Sequence, residues 1–132
     1  MRYPAPRPAT DTPDMTEPQA FSIRTASDGD AFVVAPTGEI DLSTAPELGS
    51  SLEAAPPATR HVVVDLTEVS FIDSSGINVL LTGQRRLAEG GVGFRVVAPA
   101  GPVRRVFELT RLVDALGVVD SIGDALAESA RG

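Results

Sequence analysis

The stretch Val62-Val63-Val64-Asp65-Leu66, followed by Phe71-Ile72-Asp73-Ser74-Ser75-Gly76, decides the fold that this sequence predicts. The first segment is apolar and β-branched, which is typical of a central strand buried on both faces of a sheet. After Phe71, apolar residues recur at three- and four-residue spacing, which predicts a helix from about Ser74 to Glu89. Its apolar side is expected to carry Ile77, Leu80, Leu81, Gln84 and Ala88. Phe94-Arg95-Val96-Val97 then predicts a strand parallel to the first, reached through a right-handed crossover.

Upstream of this unit, the sequence predicts a hairpin and a helix. Asp28-Gly29-Asp30 is a turn between Phe21-Ser22-Ile23-Arg24 and the apolar run Ala31–Ala35, so two antiparallel strands are expected. Thr44 is followed three residues later by Glu47, with Pro46 in the first turn, and this spacing predicts a helix opened by a capping box. Pro56-Pro57 ends that helix.

Downstream, two more helices and a short strand are expected. Pro102 begins a helix that turns Val103, Val106, Phe107 and Leu109 inward, with Arg104 and Arg105 on a solvated face. A short strand near Val118-Val119 is followed by a helix that Ser121 caps. The fold class is therefore α/β: a single domain with a mixed sheet of four to five strands packed against about four helices.

The chain length of 132 residues suits one domain. Five of the eleven prolines lie within the first eighteen residues, in a stretch with almost no large apolar side chains, so residues 1–19 are expected to form a disordered tail. The domain is expected to cover residues 20–128, leaving residues 129–132 as a C-terminal end.

Composition excludes several classes of function. The net charge of −7 would repel a phosphate backbone, so nucleic acid is not expected as a direct partner. All eleven basic residues are arginine, which removes lysine Schiff-base chemistry and the P-loop of an NTPase. With no cysteine and one histidine, neither a metal nor a cofactor is expected. The apolar runs are too short for membrane insertion or a secretion signal, and a cytoplasmic protein is expected.

The segment Asp73-Ser74-Ser75-Gly76 is the first candidate site because it lies where a buried strand region gives way to a helix. Unpaired N–H groups and the positive dipole end of the helix would tolerate a phosphate on Ser74, and Gly76 would keep bulk away from its hydroxyl. The alternative is that Asp73 or Ser74 simply caps the helix.

A catalytic serine is not expected. His61 begins the central strand whereas the serines lie beyond its far end, so about five strand residues separate them by roughly 16 Å. His61 is instead expected at a solvent-facing strand edge. Asp41, in the loop before the first helix, is a second candidate that could meet a basic group on a partner, and its alternative is a local turn or cap.

Four segments together resemble the STAS domain, and more narrowly the bacterial anti-sigma factor antagonists. They are Gly38-Glu39-Ile40-Asp41, the strand Val62–Leu66, the turn and helix Phe71–Leu81, and Arg105-Val106-Phe107-Glu108-Leu109-Thr110. The resemblance covers about residues 20–128. It implies that the protein is no enzyme but binds an anti-sigma factor that is also a serine kinase, and so frees a sigma factor.

The same resemblance implies a switch at Ser74. Phosphorylation of Ser74 would prevent binding, and a serine phosphatase would reset the protein. The partner surface would include Asp41, Asp73, Ser74, Ser75 and Gly76. Two alternatives stay open: a STAS scaffold or lipid-transport subunit without a phospho-switch, and a nucleotide-binding protein that uses the Asp73–Gly76 turn as a phosphate cradle.

Overall fold

The structure, a computed structural model, describes residues 20–131. The predicted tail, residues 1–19, lies outside the described residues, and the predicted domain limits at residues 20 and 128 stay predictions. In chain order the elements are β1 (Ser22–Asp28), β2 (Ala31–Ile40), α1 (Ala45–Glu53), β3 (His61–Asp65), β4 (Glu68–Ile72), α2 (Ser74–Glu89), β5 (Gly93–Val97), α3 (Pro102–Leu109), α4 (Val113–Leu116), β6 (Val118–Val119) and α5 (Ile122–Arg131).

Within the described residues the strands form one mixed sheet in the order β1-β2-β3-β5-β6, with β4 paired to β2. The β1–β2 hairpin is antiparallel and every other pairing is parallel. The predicted fold class is confirmed, and the six strands and five helices are roughly in line with the expected counts. β3 is central, and α2 has the predicted bounds.

The sequence did not predict β4. β2 is ten residues long; its first half pairs with β3 from Ala31 to Val34, and its second half pairs with β4 from Thr37 to Ile40. A register shift between Gly38 and Glu39 interrupts the second ladder. β4 has only two buried residues, Val69 and Ile72, so it lacks the continuous apolar run that made β3 evident.

The central strand is buried on both faces, as predicted. Val62 and Val64 pack into the main core with buried residues of α1, α2, α3 and α4, whereas Val63 packs with Val97 and with Ala125 of α5. This division follows from strand geometry, because successive side chains point to opposite faces of a sheet. The apolar core therefore lies on both faces of the sheet, with the larger part on the face that α2 covers.

Three predicted side-chain positions are wrong. Ala88 is exposed, and Leu87 packs against the core in its place. Leu109 is 74% exposed, because the inward stripe of α3 ends with Phe107. Arg104 does not lie on a freely solvated face: its guanidinium pairs with Glu108 and Asp120 and donates to the Ala98 carbonyl.

No helix within residues 20–131 combines the length and apolar character needed to cross a membrane.

Candidate functional site

Asp73 caps the helix that begins at Ser74. Its backbone is extended, and its Oδ1 accepts from the N–H groups of Ser75 at 2.8 Å and Gly76 at 3.3 Å. The Ile77 N–H, the next along the helix, donates to the Asp73 carbonyl. Of the first three N–H groups of α2, those of Ser75 and Gly76 are therefore already hydrogen-bonded. Fewer free N–H groups than expected are left to bind a phosphate.

Ser74 is the first residue of α2, and its side chain is exposed. Among residues 20–131 its hydroxyl has no hydrogen-bond partner, because the capping oxygen belongs to Asp73. Ser75 is half-buried. Of the two serines, Ser74 therefore offers the more accessible hydroxyl to an incoming enzyme or partner.

Gly76 acts through packing, and the expectation that it keeps bulk away from the Ser74 hydroxyl is wrong. It is buried, and a Cβ at this position would lie 2.6 Å from Ile40 Cγ2 and 2.7 Å from Ile72 Cγ1. Carbon atoms in contact normally stay about 3.5–4.0 Å apart. Gly76 therefore allows the first turn of α2 to sit directly on β2 and β4, which fixes the position of Ser74.

Asp41 organises the loop between β2 and α1. Its Oδ1 accepts from the Ser43 N–H at 3.0 Å, the Ser43 hydroxyl at 2.7 Å and the Thr44 N–H at 3.2 Å. The Ser43 hydroxyl is the largest cause that lowers the pKa of Asp41 below its ordinary value of 3.8, with help from the N–H groups. Asp41 thus forms the local turn that was the alternative interpretation. Its second oxygen, Oδ2, makes no hydrogen bond within the described residues.

The capping box predicted at Thr44 is absent. Helix α1 begins where expected, but the Thr44 hydroxyl donates to the Glu39 carbonyl and accepts from the Asp41 N–H, both at 2.9 Å. Thr44 has helical rather than extended dihedral angles, and its side chain makes no cap hydrogen bond. The Thr44 hydroxyl therefore forms hydrogen bonds within the turn around Asp41 and does not cap α1 in the way that the sequence pattern predicted.

The two candidate segments meet at one end of the sheet. Ile40 and Ile72 are paired residues on the parallel strands β2 and β4, and the Asp73 N–H donates to the Ile40 carbonyl at 3.1 Å. Asp41 and Asp73 directly follow these paired residues, so they leave neighbouring strands that lie about 4.8 Å apart. The structure thus brings together two candidate segments that lie 32 residues apart in the sequence.

Two exposed apolar side chains adjoin this end, and sequence reasoning missed both. Leu42 follows Asp41 and is 78% exposed, while Phe71 of β4 is 48% exposed and pairs across the ladder with Glu39. A leucine inside a polar turn was the available signal for Leu42. We call the surface formed by Asp41, Leu42, Phe71, Asp73 and Ser74 the switch surface, after the Ser74 switch that the family resemblance implies.

His61 lies at the other end of the sheet. It pairs with Ala31 and Gly93, so the length of β2 from residue 31 to 40, about 30 Å, separates it from the Ile40–Ile72 pair. It is the first residue of β3, as expected, but it is half-buried between β2 and β5 rather than fully solvent-facing. Over the described part of the chain, no three His, Asp or Glu side chains gather as metal ligands.

Comparison with known proteins places this geometry in a family. The protein-family model described as "Mlab, STAS domain" matches residues 23–120 of the sequence, and the chain therefore belongs to the STAS domain family. The anti-sigma-F factor antagonist RsfB of Mycobacterium tuberculosis is 29% identical over 113 residues, which is 85% of this chain and 92% of that protein. The anti-sigma-B factor antagonist of Staphylococcus aureus is 29% identical over 99 residues, covering 74% and 92% of the two chains.

Solved structures give the same result. An anti-sigma factor antagonist from Mycobacterium paratuberculosis superposes with a TM-score of 0.76 at 30% identity, covering 83% of this chain and 93% of that one. A sulfate transporter family protein from Wolinella succinogenes superposes with a TM-score of 0.69 at 18% identity, and that likeness shows the fold alone.

Proposed function

We propose that this protein is an anti-sigma factor antagonist that binds an anti-sigma factor through the switch surface and loses that partner when Ser74 is phosphorylated. It would act in the cytoplasm as ligand and kinase substrate rather than as an enzyme. The observation that carries the proposal is the exposed, unbonded Ser74 hydroxyl at the start of α2. The relatives named as antagonists support the choice of partner.

The switch surface offers both apolar and charged groups that a protein partner could contact. Leu42 and Phe71 supply apolar area that a partner would remove from water, and the carboxylates of Asp41 and Asp73 supply charge at its edge. Asp41 Oδ2 is available to accept from an arginine or lysine of the partner. Ser75 and Gly76 contribute by holding the first turn of α2 in place.

Phosphorylation would oppose binding through charge and desolvation. A phosphoserine carries about −1.5 to −2 charges, and here it would adjoin Asp73 in a surface that also contains Asp41. At a separation of about 6 Å with effective dielectric constants of 40–80, repulsion from one carboxylate amounts to about 1–3 kcal/mol in the free chain. Binding would strengthen this repulsion, because a partner removes water from the surface and so lowers the effective dielectric constant, and it would also strip the phosphate of its hydration. Because Asp73 already occupies two helix N–H groups, the α2 N-terminus offsets little of this repulsion. We therefore expect affinity to fall at least tenfold without a change of fold.

The direct test combines phosphorylation with binding. The full chain is incubated with ATP and candidate anti-sigma kinases and then mapped by intact mass and peptide analysis, alongside Ser74→Ala and Ser75→Ala. One phosphate that only Ser74→Ala abolishes supports the proposal. Calorimetry with the same anti-sigma factor should then show tight binding of the unmodified form, loss of binding after modification, and restoration by a serine phosphatase.

A second experiment tests the surface itself. Leu42→Gln should weaken binding to the unmodified chain by about tenfold, since it removes an exposed apolar contact without touching the core. Ile122→Gln is the matched control, because Ile122 is also an exposed apolar residue but belongs to α5 on the opposite face of the sheet. Equal losses for the two variants would contradict the assigned surface, and no binding to any anti-sigma factor would favour the scaffold or transport alternative.

A further inference from the structure

A cavity of about 510 Å³ lies between α1 and α2, outside the switch surface. It extends along the second half of α1, the connection through Pro56-Pro57, and the middle of α2. None of Asp41, Leu42, Phe71, Asp73 and Ser74 lines it. This volume is within the range of about 300–1,000 Å³ that is typical of small-molecule sites.

Two glycines allow α1 and α2 to approach each other closely beside the cavity. Gly49 on α1 faces α2, and a Cβ there would lie 3.7 Å from Val79 Cγ1. Gly83 on α2 faces α1, and a Cβ there would lie 2.8 Å from Leu52 Cδ1. The two prolines then turn the chain out of α1, because proline cannot continue a helix. The cavity is therefore bordered by a close contact between the two helices and by the turn at Pro56-Pro57.

The floor of the cavity is apolar and only partly covered. Leu52 is buried, and Ala55, Val79, Leu87 and Val92 are half-buried residues that pack against the main core while also lining the cavity. Apolar surface that a folded chain leaves in contact with water is stabilised when an apolar molecule covers it.

The rim selects against a net charge on that molecule. Arg86 Nη1 and Glu53 Oε2 form an ion pair at 2.9 Å, and both residues line the cavity. The pair adds no net charge to the rim, so no net electrostatic attraction offsets the cost of moving an ion from water onto the apolar floor. Thr59, Thr82 and Asn78 add neutral groups that can form hydrogen bonds.

We propose that the α1–α2 cavity is a binding site for an uncharged, predominantly apolar small molecule that carries one hydrogen-bonding group. The site does not depend on the function proposed above, because it shares no residue with the switch surface. Its occupant covers the half-buried floor and leaves the Glu53–Arg86 pair intact.

The test uses the full chain and N-phenyl-1-naphthylamine, an uncharged probe whose fluorescence rises in apolar surroundings. We expect one saturable site with a Kd on the order of 10–100 µM. Decanol should displace the probe at least tenfold more effectively than decanoate, which differs in carrying a negative charge. Displacement that is stronger for decanoate would overturn the assigned ligand class.

Two variants locate the site. Thr82→Phe fills the cavity from an exposed position on α2 and should weaken probe binding at least tenfold. Ala88→Phe adds the same side chain at an exposed α2 position outside the cavity and should leave binding unchanged, as should Ser74→Ala. If Thr82→Phe does not fold, probe-induced NMR shifts in the wild type provide the location. Shifts centred on residues 49–57 and 78–87 support the site, whereas shifts at Leu42 and Phe71, retained binding in a folded Thr82→Phe, or no saturable binding refute it.

Discussion

Replacing Gly76 with alanine tests whether the end of the sheet beside Ser74 depends on close packing of α2. The new Cβ would lie 2.6 Å from Ile40 Cγ2 and 2.7 and 3.0 Å from two atoms of Ile72, so it overlaps its neighbours by up to about 1 Å. Both isoleucines are buried, at 0% and 3% exposure, and β-branched side chains have little rotamer freedom. Overpacking of this kind costs about 1–3 kcal/mol, and the gain from replacing a helical glycine offsets at most about 1 kcal/mol.

The expected net loss for Gly76→Ala is on the order of 1–2 kcal/mol in the free energy of unfolding. With a urea dependence of about 1–2 kcal/mol/M, the midpoint of urea denaturation should fall by roughly 1 M. Gly49→Ala is the matched control: its Cβ meets Val79 at an ordinary 3.7 Å, so we expect stabilisation by about 0.5–1 kcal/mol. If Gly76→Ala proved as stable as the wild type, the assigned contact between α2 and the sheet would be refuted.

Three further predictions concern capping, ionisation and pairing. Asp73→Ala removes both cap hydrogen bonds and should lower the free energy of unfolding by about 1–2 kcal/mol in urea denaturation; an unchanged midpoint would contradict the cap. An NMR titration should place the Asp41 pKa below 3.8 and show that this pKa rises in Ser43→Ala. Because folding lowers the pKa of Asp41, the carboxylate stabilises the fold above pH 3.8, and this contribution is lost as the pH falls through the folded-state pKa. Arg104→Gln should lower the free energy of unfolding by about 1 kcal/mol, because it breaks two ion pairs and a hydrogen bond to a carbonyl. Arg105→Gln, on the exposed side of the same helix, should leave the free energy of unfolding unchanged. Equal midpoints of urea denaturation for the two variants would argue against the Arg104 network.

The sequence predicted elements whose signals are local. The valines of β3 and the apolar spacing of α2 each lie within one continuous segment, and both elements were found with nearly their true bounds. β4 was not predicted because it forms a strand only by pairing with residues 37–40 of β2, which are distant in the sequence. A register shift interrupts that pairing. No local pattern records such a pairing.

The site was predicted in part for the same reason. Asp73 and Ser74 could be singled out because the start of a helix after a buried segment has a local signature; the structure confirms Asp73 as the cap, and the role of Ser74 stays a prediction. The pattern Thr44 with Glu47 gave a wrong capping box because Asp41, outside that pattern, competes for the same hydroxyl. The packing role of Gly76 depends on Ile40, which only the folded chain brings near.

The pairing of Ile40 with Ile72 also determines when the switch surface can exist during synthesis. The β1–β2 hairpin needs only neighbouring residues, but contact between the ends of β2 and β4 closes a separation of 32 residues, as in the Ser70–Gly38 hydrogen bond. Long-range parallel pairing forms more slowly than local structure. A nascent chain that has emerged only as far as α1 displays the Asp41 loop without Asp73 or Ser74 beside it. A partner that requires both halves would therefore ignore incomplete or partly unfolded copies and engage only finished molecules.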